Sequence, residues 1–206
     1  MGLYRYCILP RLCDPAMRNK RLRPFRERII EAAQERVLEI GAGSGLNLEF
    51  YKPGVREVLA LEPDPQLRVM AQPHARQASC PVTFLSASAE QIPLDDKSVD
   101  TVVTTWTLCT IPDAERALRE MRRVLKLAGR LLFVEHGLAP DENIEWWQNK
   151  LTPLWRHVSG GCHLNRKTDD LIRAAGFRIE KLQTGYMEGP KPMTFIYEGS
   201  AIPQSV

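Results

Sequence analysis

The sequence predicts an α/β fold with a doubly wound, mostly parallel seven-stranded sheet, helices on both faces and a C-terminal antiparallel edge strand. Three observations predict it. Short apolar runs alternate with longer amphipathic segments of helical spacing. A glycine-rich turn follows the first of these runs. The run Arg130–Glu135 is almost continuously apolar, as expected of a strand covered on both faces.

Seven segments have the composition of strands, because they are short and rich in Val, Ile and Leu. In chain order they are Arg36–Ile40, Glu57–Leu61, Val82–Leu85, Val99–Thr104, Arg130–Glu135, Phe177–Leu182 and Met193–Glu198. A Gly/Pro-rich link joins the last two segments. This link favours a hairpin at the edge of the sheet.

The segments between the strands predict helices. One helix is expected to begin after Gly45, and the others cover Asp64–Gln77, Asp113–Leu127, Glu142–Val158 and Thr168–Ala175. Gly129 is expected to act as the stop signal after the third of these helices. The fourth segment is expected to be helical only up to Pro153, where the helix should break or kink.

The bulk properties predict one domain. A chain of 206 residues can build one proper core, with residues 1–35 as an N-terminal helical segment and residues 36–206 as the domain itself. The net charge of +3 is small, so no nucleic-acid partner is expected. Six basic residues crowd Arg18–Arg28, which is either a solvated helical face or a surface for anionic lipid or an acidic substrate.

Cysteine usage and hydropathy predict the cell compartment. The five cysteines are odd in number and include no Cys-x-x-Cys pair, which argues against a disulfide framework and a structural zinc site and favours a reducing cytoplasm. No apolar run reaches the roughly 20 residues that span a bilayer. We therefore expect a cytoplasmic protein, with at most weak peripheral membrane contact. The sequence does not indicate the oligomeric state.

The glycine-rich turn is the motif that indicates a cofactor. Glu39 ends the first strand, and Gly41, Gly43 and Gly45 follow at alternate positions. A nicotinamide-dependent oxidoreductase needs the pattern Gly-x-Gly-x-x-Gly, and its third glycine is replaced by Leu46 here. The dinucleotide-binding pattern is therefore not present. The acid repels a pyrophosphate but suits the ammonium and sulfonium of S-adenosylmethionine. The turn, which also contains the cofactor-binding candidate Ala42, has the spacing that is typical of methyltransferases.

Two later features have the positions that such a cofactor needs. Glu62 ends the second strand, where its carboxylate can accept hydrogen bonds from both ribose hydroxyls. Thr104 and Thr105 end the fourth strand, beside the expected methionine moiety. Ligands of open α/β sheets bind at these carboxyl ends. Asp100, earlier in the same strand, is expected to be structural.

From residue 36 to residue 136 the chain resembles the type 11 class I S-adenosylmethionine-dependent methyltransferases, which have a Rossmann-like fold. The run Ser88-Ala89-Glu90-Gln91-Ile92-Pro93 resembles their Asp-Ala-Glu-x-Leu-Pro segment, which holds the adenine ring, with Ser88 in place of Asp. This resemblance implies an adenine contact from Ser88, the Ala89 amide and Glu90.

A narrower resemblance, to the methyltransferase-like thiol S-methyltransferases of the endoplasmic reticulum and lipid droplets, extends beyond that region. It depends on Leu108-Cys109, Val134-Glu135-His136, Trp146-Trp147 and Gly160–Arg166. Those relatives carry an apolar N-terminal membrane anchor, and no such anchor is expected in this chain. The resemblance implies a small-molecule methyl acceptor, with a thiol as one candidate. A phospholipid headgroup, a quinone precursor and a non-catalytic cofactor-binding module remain alternatives.

The acceptor side contains the candidate catalytic residues. His136 follows the fifth strand and is either a base or acceptor orienter, or a structural histidine. His163 is the second candidate. A metal site from His136, Cys162 and His163 has no supporting spacing, so none is expected. Cys109 is expected to be a small buried hydrophobe or to lie near the acceptor pocket.

Aromatic residues predict two further features. The four tryptophans, at positions 106, 146, 147 and 155, either line an apolar acceptor pocket or belong to ordinary packing. Adjacent Trp146 and Trp147 are not expected to share one side of a helix, so one of them should be exposed or lie on a pocket rim. The N-terminal segment, with Tyr4, Tyr6 and Asp14, is a candidate lid over the cofactor.

Overall fold

The computed structural model describes residues 14–204. Its seven strands form one sheet in the order β3-β2-β1-β4-β5-β7-β6. Their bounds are β1 Glu35–Ile40, β2 Val55–Leu61, β3 Val82–Leu85, β4 Val99–Thr105, β5 Leu125–His136, β6 Phe177–Tyr186 and β7 Phe195–Pro203. Each of the seven predicted strands is confirmed.

Helices fill the connections. They are α1 Arg23–Glu31, α2 Pro65–Gln77, α3 Ala114–Val124, α4 Glu142–Val158, α5 Thr168–Ala174 and the one-turn α6 Lys191–Thr194. Side chains cap three of them, because Asp64, Asp113 and Asp141 accept hydrogen bonds from backbone N–H groups in the first turn of α2, α3 and α4.

The sheet is mostly parallel. Strands β1 to β5 pair in parallel, and β7 runs antiparallel between β5 and the outermost strand β6. The predicted C-terminal hairpin is therefore present. Strand order reverses between β1 and β4, and such a reversal opens a crevice at the carboxyl ends of the strands. The expected ligand site lies at this edge.

Two apolar layers cover the sheet, because successive strand residues point to opposite faces. On one face Leu38, Leu131 and Phe133 pack with α3 and α5. On the other face Val37 and Leu132 pack with α1. The doubly wound arrangement with helices on both faces is confirmed.

The prediction of a helix after Gly45 is wrong, because only a 3-10 turn forms there, over Leu48–Phe50. Nine residues separate Gly45 from Val55, the first residue of β2, and Pro53-Gly54 occupies the end of this link. So short a link leaves no room for a helix that crosses the sheet. Leu48 instead fills the core directly.

Two predicted helix ends are also wrong. Helix α4 continues through Pro153 to Val158. Pro153 is on the exposed side of α4, so the carbonyl that loses its partner faces water. Helix α3 ends at Val124, and Gly129 lies inside β5 rather than at a stop. A Cβ at Gly129 would lie 2.9 Å from the Asp100 carbonyl oxygen, so close backbone approach explains this glycine.

The basic run Arg18–Arg28 is mostly ion-paired. Arg28 pairs with Glu198, and Arg23 pairs with Glu27 and Glu49. Arg26 is buried, so the interpretation of this run as a solvated face is wrong for that residue. Within residues 14–204 no helix is both long and apolar enough to cross a membrane.

Candidate active site

The carboxyl ends of four parallel strands, β1, β2, β4 and β5, converge on one edge of the sheet. The residues that end them are Ile40, Leu61, Thr105 and His136. The predicted cofactor residues follow or lie on β1, β2, β3 and β4, and the acceptor candidates follow β4 and β5. One edge therefore brings both halves of the predicted site together.

The glycine turn requires glycine for steric reasons at its two ends. Gly41 has φ +64°, and a Cβ there would overlap the side chain of Thr107, which follows β4. Gly45 has φ +82°, and a Cβ there would lie 3.0 Å from the Cβ of Ala71 on α2. Other residues rarely adopt this left-handed backbone. The turn is therefore held close to both β4 and α2.

Glu39 lies fully buried beneath the turn. Its two carboxylate oxygens accept hydrogen bonds from Asn47 Nδ2 at 2.8 Å and from the Tyr51 hydroxyl at 3.0 Å. Burial raises the pKa of Glu39 to about 7, although Tyr51, Asn47 and the Arg26 guanidinium oppose the rise. Glu39 thus forms the anchor of the turn, and each of its oxygens retains a second lone pair.

Glu62 connects the end of β2 to the turn. Oε2 accepts from the Gly43 N–H at 2.9 Å and Oε1 accepts from the Asp64 N–H at 2.9 Å. Burial raises the pKa of Glu62, and these two backbone N–H groups oppose the rise. The carboxylate is oriented by the same turn that is expected to hold the cofactor. Its remaining lone pairs suit paired hydroxyl donors.

Thr104 and Thr105 point to opposite faces, as successive strand residues must. The Thr104 hydroxyl donates to Glu135 Oε1 at 2.7 Å, on the side of β5. The Thr105 hydroxyl accepts from Asn47 Nδ2 at 3.0 Å, on the side of Glu39. The two predicted cofactor residues therefore lie at the same strand end, with their side chains on opposite faces of the sheet.

The segment after β3 forms a tight turn. The Ser88 hydroxyl accepts from the Glu90 N–H at 3.2 Å, and Glu90 Oε1 accepts from the Asp113 N–H at 2.7 Å at the start of α3. Ala89 is buried within the same core as α3. The three predicted adenine-contact residues are therefore brought together, at the carboxyl end of β3.

The N-terminal segment contacts the turn. Asp14 accepts a hydrogen bond from the Ser44 hydroxyl and forms an ion pair with Arg18. Arg26 donates to Asn47 Oδ1 at 2.6 Å, and its guanidinium lies 5.0 Å from the centroid of the Trp106 ring. The other two predicted lid residues, Tyr4 and Tyr6, lie outside the described residues.

On the acceptor side, three side chains from distant positions meet. His136 Nε2 lies 3.1 Å from Cys162 Sγ, and Cys109 completes the group. All three residues are buried, and both cysteines are free thiols. We call this group the Cys-His cluster. The Cys109 thiol and the His136 ring stabilise the Cys162 thiolate and lower the pKa of Cys162, whereas Cys162 and burial raise the pKa of Cys109.

The two candidate histidines differ in environment. His136 has one ring nitrogen against Cys162, and its Nδ1 is buried with no hydrogen-bond partner within residues 14–204. His163 is only partly buried, outside the Cys-His cluster. Burial, Arg166 and Arg156 lower the pKa of His163. Its ring is therefore neutral at pH 7 and can accept a proton.

Sequence reasoning assigned no individual role to four residues that hold the site. Asn47 and Tyr51 bind Glu39, and Glu135 binds both Thr104 and the Thr107 N–H. Arg166 donates to the carbonyls of Leu108 and Ile111, which fastens the 160–167 segment to the loop after β4. The one available signal was Glu135, a charged residue at the end of an otherwise apolar strand.

The tryptophans divide between the site and the surface. Trp106 has φ +50°, packs edge-on against Phe25 and directly follows β4. Trp155 packs against the Cys-His cluster. Trp146 and Trp147 are both about half exposed (53% and 50%), so the expected exposure extends to both members of the pair. Their rings contact each other edge-on, with their centroids 4.9 Å apart.

Comparisons with known proteins show which proteins this chain is similar to. Residues 38–133 match the family model described as "Methyltransferase domain". Thiol S-methyltransferase TMT1B of Homo sapiens is 37% identical over 173 residues, which cover 81% of this chain and 68% of that protein. Thiol S-methyltransferase TMT1B of Rattus norvegicus is 36% identical over 154 residues, 71% of this chain. The chain spans 62% of the length of the rat relative.

A solved structure supports the fold. The SAM-dependent methyltransferase of Thermotoga maritima, described as a possible histamine N-methyltransferase, superposes with a TM-score of 0.66 at 21% identity and covers 98% of this chain and 100% of that one. At this level of identity the likeness shows the fold. Together with the matched domain and the curated relatives, it shows that this chain belongs to the S-adenosylmethionine-dependent methyltransferase family.

Proposed function

We propose that this chain transfers the methyl group of S-adenosylmethionine to a small-molecule thiol. One observation carries the proposal. The similarity to thiol S-methyltransferase TMT1B of Homo sapiens extends over 173 residues, well beyond the matched domain at 38–133. It therefore includes the acceptor side as well as the cofactor side.

The cofactor half is proposed from the strand ends described above. The turn from Gly41 to Gly45 lets the cofactor approach the backbone, Glu62 accepts the ribose hydroxyls, and Glu39 beneath the turn attracts the cationic methionine moiety. Ser88, Ala89 and Glu90 provide the adenine contact. Of the two threonines, Thr105 lies on the Glu39 side, whereas Thr104 acts through Glu135.

Methyl transfer from a sulfonium needs alignment more than activation, because the leaving group is already good. The acceptor sulfur must lose its proton and approach the methyl carbon opposite the departing sulfur. A free thiol has a pKa near 8.5, so its deprotonation at neutral pH needs only a weak base nearby. His163 has a neutral ring that can take this proton, and we propose it as the base. His136, turned toward Cys162, is proposed as a positioning residue.

The surroundings of the Cys-His cluster favour an apolar thiol over a charged headgroup. Leu151, Leu164, Trp155 and Met193 pack against the two cysteines. Such a lining excludes water and leaves a polar headgroup with unpaired hydrogen bonds. Phospholipid headgroups and quinone precursors are the competing acceptors.

A methyl-donor assay tests the proposal. The purified chain is incubated with labelled S-adenosylmethionine and a panel of an apolar thiol, its alcohol analogue, a quinol and phosphatidylethanolamine. We expect product from the thiol and little from the alcohol. His163→Gln should lower kcat and shift the pH profile, with the exposed His157→Gln as the matched control. Product from the lipid or quinol alone contradicts the thiol assignment, and tight cofactor binding without any product indicates a non-catalytic binding module.

A further inference from the structure

The Cys-His cluster has the composition of a metal site. Cys109, His136 and Cys162 each offer one ligand atom, and these atoms all lie within 4.8 Å of one another. Within residues 14–204 this is the only such group of three or more His, Cys, Asp or Glu side chains. The expectation that no metal binds rested on sequence spacing, which considered His163 and did not include Cys109.

The distances suit a tetrahedral ion. Zinc binds cysteine sulfur at about 2.3 Å and histidine nitrogen at about 2.0–2.1 Å, so neighbouring ligand atoms lie roughly 3.5–3.8 Å apart. The separations here run from 3.1 Å, between His136 Nε2 and Cys162 Sγ, to at most 4.8 Å. Movements of about 1 Å or less would bring all three atoms onto one ion. Side-chain rotation alone can supply movements of that size.

The chemistry of the ligand set selects the ion. Two thiolates and one imidazole form a soft, nitrogen-and-sulfur donor set, which favours zinc over magnesium or calcium. Two thiolates also neutralise a divalent charge, which matters in a buried apolar site where an uncompensated charge is costly. The packing of Trp155 and Leu164 against the cysteines keeps this site dry.

The backbone around the ligands is held rigidly. The Thr107 carbonyl accepts from the Thr110 N–H at 2.9 Å, which closes the turn that contains Cys109. The Cys109 carbonyl accepts from the His163 N–H at 2.8 Å, which ties this turn to the segment that contains Cys162. His136 ends β5 in the middle of the sheet edge. A prearranged ligand set of this kind lowers the cost of binding an ion.

The cluster adjoins the cofactor turn. Thr107 touches Gly41, and Cys109 is only two residues further along the chain. Glu135, which precedes His136, accepts from the Thr107 N–H at 3.0 Å. An ion here would therefore lie beside the place where the methyl donor is proposed to bind.

We propose that Cys109, His136 and Cys162 bind one zinc ion and leave its fourth coordination position to the acceptor thiol. Three protein ligands with an open fourth position are characteristic of catalytic rather than structural zinc. The assignment of the fourth position rests on the function proposed above. The ion site itself does not depend on that function.

The zinc ion gives the acceptor a defined reaction course. The thiol loses its proton to a base as its sulfur binds the ion. The bound thiolate sulfur then forms a bond to the methyl carbon, and the bond from that carbon to the sulfonium sulfur breaks. The electron pair of the broken bond neutralises the sulfonium and leaves S-adenosylhomocysteine. The product thioether is a neutral, weak ligand, so it leaves the ion.

Metal content of the whole chain tests the ion site. The chain is stripped with a chelator, titrated with Zn²⁺ against a competing chelator, and assayed without methyl donor or acceptor. We expect one zinc per chain. Cys109→Ser and Cys162→Ser should each weaken zinc binding by more than about 100-fold. Cys80→Ser is the matched control, because Cys80 is also a buried free thiol but lies outside the cluster, and it should bind zinc as the parent does.

Cobalt substitution of the unaltered chain keeps the test valid if a cysteine variant fails to fold. Co²⁺ in the site should give sulfur-to-cobalt charge-transfer absorption. Addition of 2-mercaptoethanol should change that spectrum, and ethanol should not. Zinc uptake that does not depend on Cys109 and Cys162, cobalt binding without the charge-transfer band, or a Cys109–Cys162 disulfide in the freshly purified chain would each overturn the ion site.

The two proposals fail in different ways. A cobalt spectrum that thiols leave unchanged overturns the open fourth position but keeps the ion site. Stoichiometric zinc with no methylated thiol in the assay overturns the proposed function and keeps the ion site. Thiol methylation by a zinc-free chain, at the same rate as by the zinc-loaded chain, overturns the role of the ion and keeps the proposed function.

Discussion

The glycine turn and the Cys-His cluster lie at the same edge of the sheet but are built in opposite ways. The turn comes from one contiguous stretch, Gly41 to Gly45, and Glu39 beneath it has a hydrogen-bond partner on each oxygen. The cluster joins three residues, of which His136 and Cys162 are 26 positions apart, and the His136 Nδ1 has no partner within residues 14–204.

The difference shows where each region gets its specificity. The turn is satisfied and preorganised before any ligand binds, so its shape selects the cofactor. The cluster places reactive groups together in a dry environment and leaves part of their bonding capacity unused. Its chemistry therefore depends on what binds there. Variants of the turn should change cofactor affinity, and variants of the cluster should leave that affinity nearly unchanged.

Gly41→Ala should give the largest effect on the turn. The left-handed backbone costs about 1–2 kcal/mol for alanine, and the overlap with Thr107 costs about 1–3 kcal/mol more. We expect cofactor affinity to fall by at least about 30-fold in isothermal titration calorimetry. Gly54→Ala is the control, since a Cβ there meets nothing within 4 Å. Equal affinities for the two variants would show that the turn does not contact the cofactor.

Glu39 should make stability depend on pH. Its folded-state pKa is about 7 and its ordinary value is 4.5. Between pH 4.5 and pH 7 the folded chain therefore retains a proton that the unfolded chain has released. The contribution of Glu39 to the free energy of unfolding should therefore fall by up to about 3 kcal/mol as pH rises from about 4.5 to about 7. Glu135 is also buried, and its pKa is likewise raised to about 7, so it should add to the slope in the same direction. Urea denaturation of the parent and of Glu39→Gln measures this slope.

Glu39→Gln should remove about half of that slope, because Glu135 remains, and the exposed control Glu27→Gln should keep the whole slope. Saturating S-adenosylmethionine should also flatten it, because a bound cation favours the ionised carboxylate. A slope in Glu39→Gln as steep as in the parent would mean that Glu39 does not contribute to it.

Glu62→Gln should have an intermediate effect. An amide leaves one oxygen to accept from the Gly43 and Asp64 N–H groups, and its NH₂ group faces the other N–H. We expect cofactor affinity to fall about 10-fold, since a charge-assisted hydrogen bond is worth roughly 1.5 kcal/mol or more. Glu57→Gln, earlier on β2 and paired with Arg36, is the control. Similar losses in both variants would point to a general effect of charge.

Asp14→Ala should have the smallest effect and tests the N-terminal segment as a lid. Loss of one hydrogen bond to Ser44 should weaken cofactor binding about 3- to 5-fold. In a double-mutant cycle with Ser44→Ala, the double variant should be no weaker than either single variant. Additive losses would show that the two side chains do not act together, and unchanged affinity would contradict the lid.

The sequence by itself determined the sheet and the cofactor motifs. The strands were readable because buried strands need apolar, β-branched runs, and the turn was readable because a left-handed backbone needs glycine. Both are local requirements. Predictions failed where a local signal competed with packing, at the missing helix after Gly45, at Gly129 and at Pro153.

Only the tertiary structure decided which distant side chains meet. No spacing rule connects Cys109 with His136 and Cys162, because their encounter depends on the order of β4 and β5 in the sheet and on the segment that Arg166 fastens. The same is true of Asn47, Tyr51 and Glu135, whose partners lie on other elements. Local chemistry identifies a cofactor turn, whereas a cluster of reactive side chains is a property of the packed sheet edge.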